Sequence, residues 1–223
     1  MHAPVAESAV EFFPSLTELS VVRHGFVGRV PGIDVATDRA EALSRLDVAH
    51  RALRAGLGFT ADSFATAEQV HGAEVAVIDR PLSGERCFDG ADALITNQVG
   101  VSLGIYVADC CATFLVDPVR RCLALVHSGR KGTELAIVAR AIATMREHFG
   151  SLPRDLVVQL SPCIRPPHYE VDFAAEIVRQ ARAAGVEQVH DSGLCTACHL
   201  PRYYSYRAEK ARTGRMLALL SLR

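Results

Sequence analysis

The sequence has no tryptophan, only three methionines, and no excess of charge of either sign. Its 24 Lys and Arg residues are balanced by 25 Asp and Glu residues, for a formal net charge of −1. This balance provides no electrostatic footprint for a nucleic acid, so we expect no nucleic-acid partner. Long apolar runs are absent too, because no stretch approaches the roughly 18 residues that a membrane-spanning helix needs. We therefore expect no membrane segment.

A secretory signal is also missing, since the N-terminus has no basic start followed by an apolar core. The chain nevertheless contains seven cysteines. An odd number cannot pair completely within one chain, and disulfides are rare in the cytoplasm. We therefore expect a cytoplasmic protein whose cysteines are thiols or metal ligands. No coiled-coil heptads or apolar stripe argue for assembly, so we expect a monomer.

The length of 223 residues favours one domain. We expect residues 1–18 to form an N-terminal extension or edge segment and residues 19–223 to form a single domain. Strand and helix patterns alternate, but hairpins interrupt the alternation, which predicts an α/β domain with a mixed sheet. The predicted strands lie at 19–28, on either side of Gly72 within 64–79, and at 92–96, 101–109, 112–129 (a hairpin) and 156–164. The predicted helices lie at 36–57, 133–149 and 169–185, and residues 213–222 form a strand or a short helix.

Three residues that can bind a metal share one position in this pattern. His71, Cys110 and His127 each lie where an apolar strand meets a glycine-containing loop. One thiolate and two imidazoles suit zinc, and three protein ligands leave a fourth position for water or substrate, as in catalytic sites. Spacing alone is weak evidence, because no two of these residues form the close pair typical of zinc fingers.

Other interpretations of the same residues stay open. A buried cysteine behaves as a small apolar side chain, and a histidine at a strand end is commonly just hydrogen-bonded. Cys110 and His127 could also form a nucleophile and base pair, because a hairpin can place them side by side. The CTAC motif at residues 195–198 lacks a second pair of ligands, so we favour no metal site there.

Two cations lie in glycine-containing turns. Lys131 belongs to the SGRKGT segment that precedes a predicted helix, and Arg29 belongs to FVGRVPG. A helix N-terminus beside a cation favours an anion such as phosphate. Either residue taken singly is equally consistent with a solvated loop.

Several blocks of the sequence resemble the YfiH/laccase-domain family and follow its order from about residue 20 to the C-terminus. They are QVHGAEV (69–75), DALIT (92–96), ADC (108–110), HSGRKG (127–132), SPCIRPPHYEV (161–171) and CTACHLPRYYSYRAEKARTGRM (195–216). Members were once called multicopper polyphenol oxidases and are now regarded as zinc-dependent purine nucleoside phosphorylases with adenosine deaminase and methylthioadenosine phosphorylase activity. The resemblance implies a layered α/β/β/α sandwich with mixed β-sheets.

The resemblance also implies a ligand set. The family's zinc ligands match His71, Cys110 and His127, the trio that the strand-end pattern singles out. Two departures concern the loop that follows. The family's HAGWRG block is HSGRKG here, so Arg130 replaces an aromatic residue and Lys131 replaces an arginine. Lysine keeps the charge but loses the bidentate fork that suits phosphate.

We therefore predict a zinc-dependent enzyme acting on a purine nucleoside and phosphate. Arg29 and Lys131 would bind the phosphate, and Asp109 would act as an acid/base or orient a ligating histidine. Three alternatives remain. The first, a copper polyphenol oxidase, fits poorly because His residues are scattered and Met residues are few. The others are a Cys–His thiol hydrolase and a metal-keeping nucleoside-binding protein with little turnover.

Overall fold

The computed structural model describes residues 9–59 and 62–223. Twelve strands form two six-stranded sheets in this part of the chain. The first sheet has the order β1 (Val10–Glu11), β2 (Val22–Val27), β12 (Met216–Leu222), β7 (Ser102–Val107), β3 (Ser63–Ala67) and β5 (Gly84–Phe88). The second has the order β11 (Gln188–Asp191), β10 (Val157–Leu160), β8 (Cys111–Asp117), β9 (Cys122–Ser128), β6 (Ala91–Thr96) and β4 (Glu74–Ile78). Each sheet combines parallel and antiparallel pairs, which confirms the expected mixed sheets.

Five α-helices pack against the two sheets in the described part of the chain. They are α1 (Pro14–Thr17), α2 (Arg39–Gly56), α3 (Arg130–Glu134), α4 (Ile137–Phe149) and α5 (Phe173–Ala183), with a short 3-10 helix at Pro153–Asp155. Helix α2 packs on the first sheet, where its Arg54 guanidinium lies 3.8 Å from the centre of the Phe64 ring. Helices α4 and α5 pack on the second sheet around a core that includes Met145 and Ile177. The α/β class and the layered arrangement are thus confirmed.

The strands follow from their composition. Strands β8, β9 and β12 are buried along their whole length and consist mostly of apolar residues. Such runs favour central strands covered on both faces. The C-terminal segment, expected as a strand or a short helix, is therefore a strand, paired on both sides with β2 and β7.

The structure differs from the sequence-based prediction in one divided helix and three additional strands. The helix expected over 133–149 is divided into α3 and α4, because Ala136 adopts a left-handed backbone with φ of 57°. Strands β1, β5 and β11 were not predicted, since they are short and none of their residues is fully buried. Strands without a buried apolar face give little periodic signal.

The start of the described chain is attached to the first sheet. Strand β1 is its edge strand, and Phe13 and Leu16 are buried in the core between the sheets. The boundary expected at residue 18 stays a prediction, and residues 1–8 lie outside the described residues. No helix of the described part is long and apolar enough to cross a membrane.

Candidate metal centre and substrate cavity

Three side chains from distant parts of the chain meet at one end of the sheets. One ligand atom from each of His71, Cys110 and His127 lies within 4.8 Å of the others, and the Cys110 Sγ is 3.9 Å from the His71 Nε2. His71 follows β3, Cys110 joins β7 to β8, and His127 lies near the end of β9. The hairpin register pairs Ala112 with His127, so Cys110 lies beside that histidine. The sheets thus bring together the three residues that the sequence singled out.

A turn of unusual backbone shape holds His71. Gln69 and His71 both have positive φ, at 65° and 61°. The Gln69 amide exchanges two hydrogen bonds with the backbone of Tyr106, at 2.5 and 3.1 Å, and so extends the pairing of β7. Backbone strain at non-glycine residues persists where surrounding contacts fix it. The side chain of Gln69 is therefore part of the support of the centre.

Asp92 is the residue that sequence reasoning missed. It is buried in β6, where its Oδ1 accepts from the His127 Nδ1 at 2.8 Å and from the His71 N–H at 3.0 Å, while Oδ2 accepts from the Gly72 N–H at 2.7 Å. A carboxylate on Nδ1 fixes the tautomer and leaves Nε2 free to face a metal. Burial raises the pKa of Asp92, but these hydrogen bonds, led by His127, lower it below its usual range. An acidic residue within the apolar ADALIT strand was the available signal.

Cys110 and His127 favour the ion pair of a thiolate and an imidazolium. Burial raises the pKa of Cys110, but the charge of His127 and hydrogen bonds from both histidines outweigh it and lower the pKa to about 6. Burial lowers the pKa of His127, whereas Cys110 and Asp92 raise it to about 9. A thiolate is the form that binds a metal. The site therefore already favours the ionised sulfur before any metal binds.

The donor set fits one four-coordinate ion. Ligands around a tetrahedral zinc lie roughly 3.3–3.7 Å apart, given bonds of about 2.0–2.1 Å to nitrogen and 2.3 Å to sulfur. The separation of 3.9 Å between Cys110 and His71 is within a small adjustment of that range. A side chain at Gly129 would place its Cβ 2.5 Å from the Cys110 Sγ. Glycine at this position therefore leaves room for the sulfur.

The centre opens into a cavity of about 1090 Å³. Aromatic residues that line it are Tyr106, Tyr169, Phe173 and Tyr206. Six lining residues are cationic and two are acidic, namely Arg39, Arg130, Lys131, Arg207, Lys210 and Arg215 against Asp109 and Glu134. The cavity therefore combines flat apolar surfaces with an excess of positive charge. That combination suits a ligand with an aromatic part and an anionic part.

The structure places the other candidate residues differently. Lys131 and Asp109 line the cavity, whereas Arg29 is not among the residues that line it. The Arg29 guanidinium donates to Glu209 and to the carbonyl oxygens of Leu200 and Tyr203, so its donors serve the C-terminal loop. Nothing in this arrangement supports the predicted contact between Arg29 and phosphate.

The contacts of Asp109 lie within the protein. Its Oδ1 accepts from the Thr196 hydroxyl at 2.6 Å, and its Oδ2 accepts from the Arg207 N–H at 2.7 Å. The carboxylate that orients His127 is Asp92, not Asp109. Asp109 thus ties the loop bearing Arg207 to the strand end that carries Cys110.

The two cysteines of the CTAC motif do not belong to the group of metal donors. Cys195 is buried and Cys198 is exposed, and all seven cysteines are free thiols. Across residues 9–59 and 62–223, His71, Cys110 and His127 form the one group of three or more donors that could hold a metal. The arrangement as a whole defines a protein in which three donors that could hold one metal ion line a cationic, aromatic cavity.

The family of this fold follows from comparison with known sequences. The chain belongs to the family described as multi-copper polyphenol oxidoreductase laccase, which it matches over residues 23–182 and 171–223. The resemblance to the YfiH/laccase-domain family that the sequence motifs carry is thereby confirmed.

Relatives and solved structures cover most of the chain. Purine nucleoside phosphorylase YlmD of Geobacillus stearothermophilus is 28% identical over 86% of this chain and 82% of its own. Purine nucleoside phosphorylase of Deinococcus radiodurans is 31% identical over 90% of this chain and 89% of its own. The crystal structure of the hypothetical protein YfiH of Bacillus licheniformis superposes with a TM-score of 0.79 at 21% identity, covering 91% of this chain and 93% of that one. This last similarity concerns the fold alone.

Proposed function

We propose that the protein is a zinc-dependent purine nucleoside phosphorylase. The observation that carries the proposal is the convergence of His71, Cys110 and His127 in the wall of a cavity lined by aromatic rings and cations. The two relatives at 28% and 31% identity, both named purine nucleoside phosphorylases, support the same activity. Adenosine deamination and methylthioadenosine phosphorolysis are the further activities that we expect of this site.

The donor chemistry supports zinc over copper. Two imidazoles and one thiolate suit zinc and leave a fourth position open. A multicopper oxidase requires further copper sites, and the described residues contain a single group of three or more donors. When bound, zinc would supply a Lewis acid in the cavity. Metal analysis of the purified protein tests this point, and copper in place of zinc would overturn it.

The chain's own residues position the reactants. In phosphorolysis a phosphate oxygen bonds to the anomeric carbon of the ribose as its bond to the base nitrogen breaks, and the departing base takes up a proton. Tyr106, Tyr169 and Tyr206 offer flat surfaces to the purine. Lys131 attracts the phosphate from the rim of the cavity. Asp109, next to Cys110, is our candidate for handling the proton, and its bonds to Thr196 and Arg207 give it a positioning role as well.

A nucleoside panel tests the proposed function. Zinc-loaded protein is incubated with inosine, guanosine, adenosine and methylthioadenosine, with and without phosphate, and the products are separated by chromatography. We expect free base and ribose 1-phosphate only when phosphate is present, together with some inosine from adenosine. Tight nucleoside binding without any product would instead identify a metal-keeping binding protein and would overturn the enzymatic proposal.

One observation favours a second candidate, a Cys–His thiol hydrolase. The pKa of Cys110 is lowered to about 6 and that of His127 is raised to about 9, so the two resemble an activated thiol and its base. Chelation separates the two functions, because a thiol hydrolase keeps its activity without metal whereas a zinc enzyme loses it. Alkylation of Cys110 that abolishes activity equally with and without metal would favour the hydrolase.

We further propose that the protein works as a monomer in the cytoplasm. Seven free thiols are consistent with a reducing compartment. Cell fractionation and sedimentation of the purified protein test these two statements.

A further inference from the structure

Arg215 is a buried cation without an acidic partner. It precedes β12, only 8% of its surface is exposed, and it lines the cavity. Within the described part of the chain its guanidinium donates from Nη1 to the carbonyl oxygens of Thr213 and Gly214, both at 2.9 Å, and no carboxylate forms an ion pair with it. Buried charges are normally paired. An unpaired arginine on a cavity wall therefore points to an anion that arrives with a ligand.

Other arginines of the cavity contrast with Arg215. Arg130 pairs with Glu134 at 2.9 Å, and Arg207 pairs with Glu170 at 2.9 Å. Their charges are largely neutralised by the protein itself. Arg39, in contrast, donates to the Glu68 carbonyl oxygen at 3.2 Å and has no carboxylate partner among the described residues. Arg39 and Arg215 are thus the two arginines of the cavity that form no ion pair with a carboxylate of the described residues.

These two arginines influence each other. Burial lowers the pKa of Arg215 and the positive charge of Arg39 lowers it further, and together they outweigh the opposing influence of Cys110, Tyr206 and Asp109. Two like charges facing one cavity repel unless an anion lies between them. A guanidinium presents donors in a planar fork that matches two oxygens of a phosphate. Tyr206 also lies beside Arg215, with its ring centre 5.9 Å from the guanidinium carbon, so an aromatic surface adjoins the cation.

We propose that Arg215 and Arg39 form the subsite that binds phosphate during phosphorolysis, with Arg215 as the principal ligand. The identity of phosphate as a substrate rests on the proposed function. The binding of inorganic phosphate can be measured whether or not the protein is a phosphorylase. It assigns to Arg215 the bidentate contact that Lys131 cannot make and that the placement of Arg29 does not support.

Direct phosphate binding tests the subsite. Calorimetry measures the dissociation constant of inorganic phosphate for metal-loaded protein without nucleoside, at constant ionic strength. A lost hydrogen bond to a charged group corresponds to about a 10- to 100-fold change in affinity. We expect Arg215→Gln to weaken phosphate binding by about 10- to 100-fold and Arg39→Gln to weaken it by about 3- to 10-fold. Metal content and nucleoside affinity should stay as in the wild type.

A matched control comes from the same helix as Arg39. Arg45 lies in α2 and pairs with Glu41 and Asp34, and it does not line the cavity. Arg45→Gln removes the same charge and should leave the phosphate dissociation constant within about 2-fold. If Arg215→Gln fails to fold, as judged by circular dichroism, Arg39→Gln carries the test, because Arg39 is exposed at the start of its helix.

The outcomes separate this subsite from the proposed function. Phosphate binding that is lost in both variants, in a protein that splits no nucleoside, would support the subsite and overturn the phosphorylase. Phosphate-dependent splitting of nucleosides by a protein whose two variants bind phosphate normally would overturn the subsite and support the phosphorylase. A raised KM for nucleoside with unchanged phosphate affinity would assign Arg215 to the base or sugar and would also overturn it.

Discussion

The guanidinium of Arg29 lies 2.9 Å from the carboxylate of Glu209, and the two residues are 180 positions apart. Glu209 also accepts from the Thr213 hydroxyl and from the Ser205 N–H. Arg29 therefore anchors the loop that ends at Arg215. The sequence predicted that Arg29 binds phosphate. In the folded protein Arg29 instead supports the segment that carries Arg215, which lines the cavity.

Replacing Arg29 should reduce stability. In Arg29→Gln the carboxylate of Glu209, which is 24% exposed, loses its cation, and the contact of Arg29 with the Tyr204 ring at 4.4 Å is lost. We expect a loss of about 2–4 kcal/mol in the free energy of unfolding, measured in urea. Arg179→Gln, which breaks an exposed pair with Glu176, should cost less than about 1 kcal/mol. A stable Arg29→Gln protein with weakened phosphate binding would instead support direct anion contact.

Asp92→Asn tests the support of the metal ligands. The amide is nearly isosteric but lacks the charge that holds the His127 Nδ1–H, so His127 loses its fixed tautomer. We expect zinc affinity, measured by competition with a chromogenic chelator, to fall by about 10- to 100-fold. Asp89→Asn changes an exposed residue three positions away and should have no effect. Equal zinc affinities in the two variants would contradict the role of Asp92.

The two adjacent cysteines offer an internal comparison. Cys110 lines the cavity. Cys111 is instead buried in the core between the second sheet and helices α4 and α5, and its Sγ lies 3.6 Å from the Thr113 hydroxyl. Cys110→Ser should reduce bound zinc from about one ion per chain to a small fraction, because zinc prefers the thiolate to a hydroxyl. Cys111→Ser should keep its zinc and lose only stability. Zinc loss in the second variant alone would reverse the assignment.

Gly129→Ala should disturb the centre through packing alone. The added Cβ would lie 2.5 Å from the Cys110 Sγ, so the sulfur or the β9–α3 turn must shift. We expect at least about a 10-fold loss in zinc affinity and a destabilisation of about 1–3 kcal/mol. Gly56→Ala, at the end of α2, meets nothing within 4 Å and should be neutral or slightly stabilising. Thermal melts and zinc titrations of both variants check this.

Buried histidines should make the fold sensitive to mild acid. Burial lowers the pKa of His50 from 6.5 to about 4, and its Nε2 has no hydrogen-bond partner within the described part. Below pH 6.5 His50 binds a proton in the unfolded chain but stays neutral in the folded chain. The free energy of unfolding therefore falls as the pH drops towards 4. His50→Leu should gain about 2 kcal/mol relative to the wild type between pH 7 and pH 5.

Urea unfolding at the two pH values measures this difference. The exposed residue His148 in α4 provides the control, because His148→Leu removes a histidine of the surface. If both variants change stability equally between pH 7 and pH 5, burial of His50 is not the cause.

The sequence was sufficient for the repetitive parts of this fold. Apolar runs predicted β7, the β8–β9 hairpin and β10, and helical periodicity predicted α2, because both patterns reflect burial along a regular element. The short edge strands and the break at Ala136 could not be predicted, since they depend on partners distant in sequence. The metal trio was predicted because His71, Cys110 and His127 mark strand ends and match the family's motifs.

The sequence by itself determined the class of the fold, the chemistry of the three donors and the absence of a strong net charge. The tertiary structure alone decided which charged residues serve the site. Side chains interact with residues that are close in space, whatever their distance in sequence. Asp92 therefore accepts a hydrogen bond from His127 across paired strands, and Arg29 forms an ion pair with Glu209. Arg215 lines the cavity and forms no ion pair with a carboxylate of the described chain.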